Sequence, residues 1–182
     1  MNSLKRDNPA ARVLDFIAVM LASGFFASTL PSKIIQRLKP KTGDYLISQR
    51  WTGAGFIGSL WGVVTYLLLP SEIAQSIGVI VLGVLFAVGV SHVAELVLNS
   101  HDDSRIVIDE WIGVWIAFWG LEQKVTLPFV VAFILFRVFD VFKGPWGRAA
   151  AKLPGGFGVT MDDVVAGVIA NLFTRGFIHL IR

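Results

Sequence analysis

The chain has no cysteine. That excludes a disulfide framework, a thiolate metal site and a cysteine nucleophile, and with the last any cysteinyl-phosphate route. Charge is also scarce: Asp, Glu, Lys and Arg make up 16% of the 182 residues, against roughly 25% in an ordinary soluble domain. Hydrophobic residues fill 54% and the mean hydropathy is +0.68, so water alone is a poor solvent for the folded surface. The net charge of +3 is modest, and no nucleic-acid partner is expected. The basic residues gather in a few connections, which suits anionic lipid headgroups. A cleavable signal is missing too: Asp15 interrupts the first apolar run, and no small-residue cleavage site ends it. Sustained period-two alternation is absent, which disfavours a β-barrel, and no internal repeat or low-complexity linker is evident.

What is present is a series of apolar segments, at about 13–31, 53–70, 73–98, 106–121, 125–142 and 159–181. Turn-rich or charged pieces separate them, at 33–50, 70–72, 99–105, 122–124 and 144–158. Most segments approach the roughly 20 residues that cross a bilayer. The pattern predicts an all-α fold: a single compact bundle of about six helices, membrane-embedded and multi-pass, in one domain over 1–182. Lys5, Arg6 and Arg12 precede the first segment, and Lys33, Arg37, Lys39, Lys41 and Arg50 follow it. Both flanks read as cytoplasmic, so this segment is expected to be re-entrant or interfacial. The next four segments then form two hairpins. Asp109-Glu110, the stretch Arg137 to Lys143, and Asp162-Asp163 all fall at the cytoplasmic face, with the turn Pro70-Ser71-Glu72 opposite. The six tryptophans, including Trp51, Trp61 and Trp146 near segment ends, fit interfacial anchoring.

Three constellations carry chemistry. In Phe136-Arg137-Val138-Phe139-Asp140-Val141-Phe142-Lys143, charges recur at steps of three, which on a helix stacks them along one stripe. The bland reading is an Arg137–Asp140 ion pair with Lys143 snorkelling to headgroups. The functional one makes Asp140 a metal ligand or general base, with Arg137 and Lys143 holding phosphate oxygens. Asp109-Glu110 sits in an apolar run, where each acid costs about 2.5–3.5 kcal/mol at bilayer depth. A helix-dipole role, a bound cation and a basic partner are all open. Gly113, one turn after Asp109, leaves room for a helix or a ligand. The third is Gly155-Gly156-Phe157-Gly158 running through Thr160 to Asp162-Asp163. Glycines before a helix present N–H groups to a phosphate, and a phosphate beside two carboxylates needs a divalent ion between them. Gly167 repeats after Asp163 the spacing of Gly113 after Asp109. Oxygen donors without cysteine suit Mg²⁺ or Mn²⁺ rather than zinc. His92 and Glu95, one helical step apart, read first as packing residues, and His101, Asp102, Asp103 and Arg105 as a solvated loop, with His101 or Asp102 available to line an entrance.

These pieces resemble the phosphatidylglycerophosphatase A family. The likeness is carried by His101-Asp102 with Ile106 to Gly113, by Phe136 to Lys143, and by Gly155 to Gly167, over roughly 91–182. The first half is less similar: the family's Pro-Gly-Thr-x-Gly-Ser pattern appears as Ala54-Gly55-Phe56-Ile57-Gly58-Ser59, and Gly144 intervenes before Pro145. The resemblance implies an all-helical Mg²⁺-dependent phosphatase of the bacterial inner membrane, acting on phosphatidylglycerophosphate to yield phosphatidylglycerol. On that basis Asp109, Glu110, Asp140, Asp162 and Asp163 are the expected Mg²⁺ ligands. Arg137 and Lys143 are expected to bind the phosphate with Gly155, Gly156 and Gly158, and Asp140, Arg137, Lys143 and Asp109 to act in catalysis. The alternative from another class is a small transporter or ion-conducting bundle. Against it, the charges cluster at one face and no repeated halves are seen.

Overall fold

The computed structural model describes residues 9–30, 53–122 and 126–181. The basic connection expected over 33–50, Trp51, and Gln123 and Lys124 of the turn at 122–124 lie outside these residues. Eight α-helices occur among the described residues: α1 Pro9–Ala22, α2 Ala54–Leu68, α3 Ser71–Ala74, α4 Ile77–Leu98, α5 Ile108–Phe118, α6 Thr126–Val141, α7 Pro145–Ala150 and α8 Gly156–Ile181. A 3₁₀ turn spans Ala27–Thr29, and no strand occurs among the described residues. The expected six are therefore joined by two short ones, both started by proline. Pro70 precedes α3 and Pro145 occupies the first turn of α7, where its fixed φ fits and its missing N–H is not needed.

α5 is the hub, packing against α2, α4, α6 and α8. Contacts along it order the chain. Its first turn lies beside Gly55 of α2. At its other end Phe118 meets Tyr66 of α2 and Phe129 of α6, with ring centroids 5.5 and 4.8 Å apart. Trp119 Nε1 reaches Gln75 O just before α4, at 2.8 Å. The segments thus alternate in direction, as the two-hairpin pattern requires, and the turn around Pro70 sits at the opposite end of α5 from its acids. α1 joins the acidic end: Val107 N donates to Ala22 O at 2.7 Å, and Ser28 Oγ to Arg105 O at 2.9 Å.

Three tryptophans at four-residue spacing on α5 turn their indole N–H groups inward. Trp111 and Trp115 both donate to Thr65 Oγ1, at 2.7 and 3.0 Å, which gives these amphipathic rings an internal partner. Trp61 stacks on Trp111 with centroids 6.2 Å apart, so it is a packing residue of α2 rather than the interfacial anchor expected. Trp146 is 75% exposed.

α4 and α8 are long and apolar enough to cross a membrane, and only 28% of the most apolar window of each is buried. A core helix of a water-soluble protein would be mostly covered. Here Leu82, Leu85 and Phe86 on α4 and Leu172, Phe173 and Leu180 on α8 face outward.

Candidate active site

Asp109 and Glu110 occupy the first turn of α5, while Asp162 and Asp163 lie two turns into α8. What brings them together is the crossing of these helices. A Cβ on Gly167 would sit 2.5 Å from Gly113 O, so only glycine permits this approach. Each glycine follows its acid by four residues, one helical turn, and the close crossing therefore sets the two acids side by side. One oxygen each from Asp109, Glu110 and Asp163 lies within 4.8 Å of the others. Asp109 and Asp163 are 7% and 3% exposed. Helix α2 closes the side: a side chain at Gly55 would collide with Glu110 Oε1.

The basic residues enter from α6 and just beyond it. Arg137 Nη1 donates to Asp140 Oδ2 at 2.6 Å and to Ser59 Oγ of α2 at 3.0 Å. Ser59 in turn donates to Gly55 O at 2.9 Å. The stripe of three charges is only partly realised. α6 ends at Val141, because Gly144 is extended ahead of Pro145, and Lys143 leaves the helix to pair with Asp162. Burial alone would lower the Lys143 pKa, but the charges of Asp162, Asp163 and Asp102 and the bond to Asp162 outweigh it. The amine is raised above its ordinary value and stays cationic.

All five expected carboxylates, with Arg137 and Lys143, therefore gather at one end of the bundle. The stretch Ala54 to Ser59, where the family's Pro-Gly-Thr-x-Gly-Ser pattern falls, forms the first turns of α2, and its Gly55 and Ser59 touch the site; Ser59 was not among the expected site residues. Gly155, Gly156 and Gly158 are all tightly packed. Gly155 has φ +57 and lies against His92, Gly156 lies against the α4 backbone at Val88 and His92, and Gly158 lies against Leu153 O. Helix α8 already begins at Gly156, three residues earlier than its apolar run.

Asp109 Oδ1, Glu110 Oε2 and Asp162 Oδ1 are buried without a hydrogen-bond partner. Unpartnered buried carboxylate oxygens are unfavourable, and a divalent cation is the partner that several at once can share. The donor set, all hard oxygen, fits Mg²⁺ or Mn²⁺.

Clustered carboxylates flanked by an arginine and a lysine, at one end of a bundle of apolar helices, have the charge pattern that a centre for phosphate esters would need. Comparison with known proteins agrees. The family model of phosphatidylglycerophosphatase A matches residues 46–178, and the chain belongs to that family of phosphoric monoester hydrolases. It is 33% identical over 123 residues to phosphatidylglycerophosphatase A of Escherichia coli strain K12, covering 64% of this chain and 69% of that protein. The phosphatidylglycerophosphatase A of Haemophilus influenzae is 33% identical over 119 residues, covering 64% and 73%. A Bacteroides thetaiotaomicron protein, described as a candidate phosphatidylinositol-3-phosphatase, is 33% identical over 121 residues, covering 64% and 76%. No solved structure matches the chain significantly.

Proposed function

We propose that this enzyme hydrolyses the phosphomonoester of phosphatidylglycerophosphate, releasing phosphatidylglycerol and inorganic phosphate. It does so with Mg²⁺, as one multi-pass domain of the bacterial inner membrane whose site opens to the cytoplasm. The observation that carries this reading is the Asp109–Glu110–Asp163 cluster, with unpartnered oxygens on Asp109 and Glu110, beside Arg137. The outward apolar faces of α4 and α8 support the membrane setting.

Asp109, Glu110 and Asp163 would hold the cation, with Asp140 and Asp162 at its margin. When bound, Mg²⁺ supplies charge neutralisation for the phosphate and a lowered pKa for a coordinated water. Arg137 and Lys143 hold the phosphate oxygens on which charge gathers, since positioning and electrostatics carry most of phosphoryl transfer. Ser59 and Asp140 fix the Arg137 guanidinium in that task. Water oxygen would attack phosphorus as the bond from phosphorus to the glycerol oxygen breaks. One of the clustered carboxylates, Asp140 among them, would take the water's proton, and the departing oxygen would gain a proton to end as the hydroxyl of phosphatidylglycerol.

The test is phosphate release from phosphatidylglycerophosphate in detergent micelles, with Mg²⁺ and then with excess EDTA. Release that EDTA abolishes and Mg²⁺ restores is expected. Asp140→Asn should lower turnover by about 10²-fold or more with an unchanged circular dichroism spectrum. Normal turnover in that variant would refute the assignment, and release only from phosphatidylinositol 3-phosphate would move the substrate.

A further inference from the structure

A cavity of about 460 Å³ opens at the end of the bundle away from the acids, within the size range of small-ligand sites. Arg175 stands about 18 Å further along α8 than Asp163. It lines this cavity together with Glu122, His179, Leu127, Pro128 and Ile178. The guanidinium is held in place. Its Nε donates to Asn171 Oδ1 and its Nη2 to Trp119 O, each at 2.8 Å, and a side chain at Gly120, whose φ is +68, would collide with Nη2. Neither acceptor carries a charge. Asn171 Nδ2 also donates to Trp119 O at 2.8 Å, so that carbonyl has a neutral partner without the arginine. Of the guanidinium's five N–H groups, these bonds use two, and the rest have no acceptor among the described residues. Glu122 lines the same cavity yet does not pair with Arg175. The ion pairs among the described residues join Glu95 to His101, Asp103 to Arg105, Asp140 to Arg137 and Asp162 to Lys143. A cation with open donors and a carboxylate, sharing a cavity without pairing, match a ligand that carries both charges apart.

We propose that this cavity binds the headgroup of a zwitterionic aminophospholipid of the phosphatidylethanolamine type, with the phosphate on Arg175 and the ammonium toward Glu122. A planar guanidinium takes phosphate oxygens two at a time. Leu127, Pro128 and Ile178 supply apolar walls for the glycerol and the first methylenes, which a free phosphate would not use. A headgroup of net negative charge satisfies Arg175 but brings no cation to Glu122, so it binds less well. Because the cavity lies at the far end of the bundle, in the membrane setting proposed above the lipid comes from the leaflet opposite the acids. The inference rests on that setting and not on the reaction.

The experiment is thermal melting of the full chain in detergent with EDTA, titrated with dihexanoyl phosphatidylethanolamine, dihexanoyl phosphatidylglycerol or inorganic phosphate. At about ten times its Kd the ethanolamine lipid should raise the wild-type melting temperature by about 3–6 °C. In Arg175→Ala that shift should disappear. Arg175→Gln, which keeps a donor for Trp119 O but no charge, should lose it too, and replaces the alanine variant if that one does not fold. Glu122→Gln should weaken the ethanolamine lipid by about two- to fivefold and bring the two lipids level. No shift in wild type, or an equal shift in wild type and Arg175→Gln, would overturn the proposal. So would an Arg175-dependent shift that inorganic phosphate reproduces in full, which would make the ligand a free anion. A larger Arg175-dependent shift with phosphatidylglycerol would overturn the headgroup assigned here. If the wild-type protein shows the lipid shift but releases no phosphate from phosphatidylglycerophosphate, the reaction proposed above fails and this site stands, since the melts use no substrate.

Discussion

Neutralising one acid of the central cluster should stabilise the metal-free protein while destroying its use for the metal. The three oxygens of Asp109, Glu110 and Asp163 lie within 4.8 Å of one another. Two unit charges at that distance repel by about 3.5 kcal/mol at an effective dielectric constant of about 20. Asp163→Asn removes two of the three pairs, about 7 kcal/mol at that separation for fully ionised acids, which Arg137 and bound protons reduce. Replacing poorly compensated buried charge typically gains about 1–4 kcal/mol, and for a chain of this size each kcal/mol moves the melting temperature by about 2–4 °C. In EDTA the variant should therefore melt about 2–16 °C above wild type. With saturating Mg²⁺ the gap should close or reverse, because a ligand at about one hundred times its Kd adds about 2.7 kcal/mol to the form that binds it. Tryptophan fluorescence melts in detergent, with and without Mg²⁺, provide the assay. A variant that melts below wild type in EDTA, together with a wild type indifferent to Mg²⁺, would refute the reasoning.

Two further outcomes follow from the geometry. Gly167→Val should force α5 and α8 apart at the Gly113 carbonyl, with a loss of about 1–3 kcal/mol and a fall in activity as the acids separate; a wild-type melting temperature would contradict the crossing. Asp103 accepts two bonds from the Arg105 guanidinium, at 2.8 Å each. Its pKa is lowered chiefly by that bond, with burial opposing. A lowered carboxyl stabilises the fold above its unfolded value and loses that contribution as pH falls through the folded one. Asp103→Asn should thus cost no more than about 1 kcal/mol at neutral pH, and nothing at a pH well below the ordinary carboxylate range; a cost that persists in acid would contradict the pairing.

Much of this architecture was legible in the sequence because the physics there is local. Six apolar runs long enough for helices became helices, and α6 over 126–141 matches its run at 125–142 to within a residue at each end. The four-residue steps from Asp109 to Gly113 and from Asp163 to Gly167 pointed to close helix approach, and that approach is the crossing that assembles the site. Local pattern failed where a partner distant in sequence decides. Lys143 shares a three-residue spacing with Asp140, yet it bonds to Asp162, because helix termination before Pro145 frees it and α8 supplies an acid. Ser59 looks unremarkable in an apolar run until Arg137, 78 residues away, is found bonded to it. At 155–158 a phosphate loop and a tight helix entry have the same composition, so the close approach of Gly155 and Gly156 to His92 and the α4 backbone could not be read from the residues.

α5 has 11 residues, about 16 Å at 1.5 Å per residue, whereas a bilayer's hydrocarbon core is about 30 Å thick. A helix that stops halfway leaves carbonyls facing oil. Here Asn171 Nδ2 takes those of Ala117 and Trp119, Tyr66 takes that of Phe118, and Arg175 takes Trp119 again, at 2.8–3.0 Å. The polar residues at the far end of the bundle thus form a floor that lets the helix be short. In the membrane setting proposed above, such a floor would let the clustered acids lie recessed from the bilayer surface, where a lipid headgroup could meet them without leaving its own leaflet. Hydropathy counts would score Asn171 and Arg175 as blemishes in a spanning helix. Chemically they let α5 end early with its last carbonyls bonded.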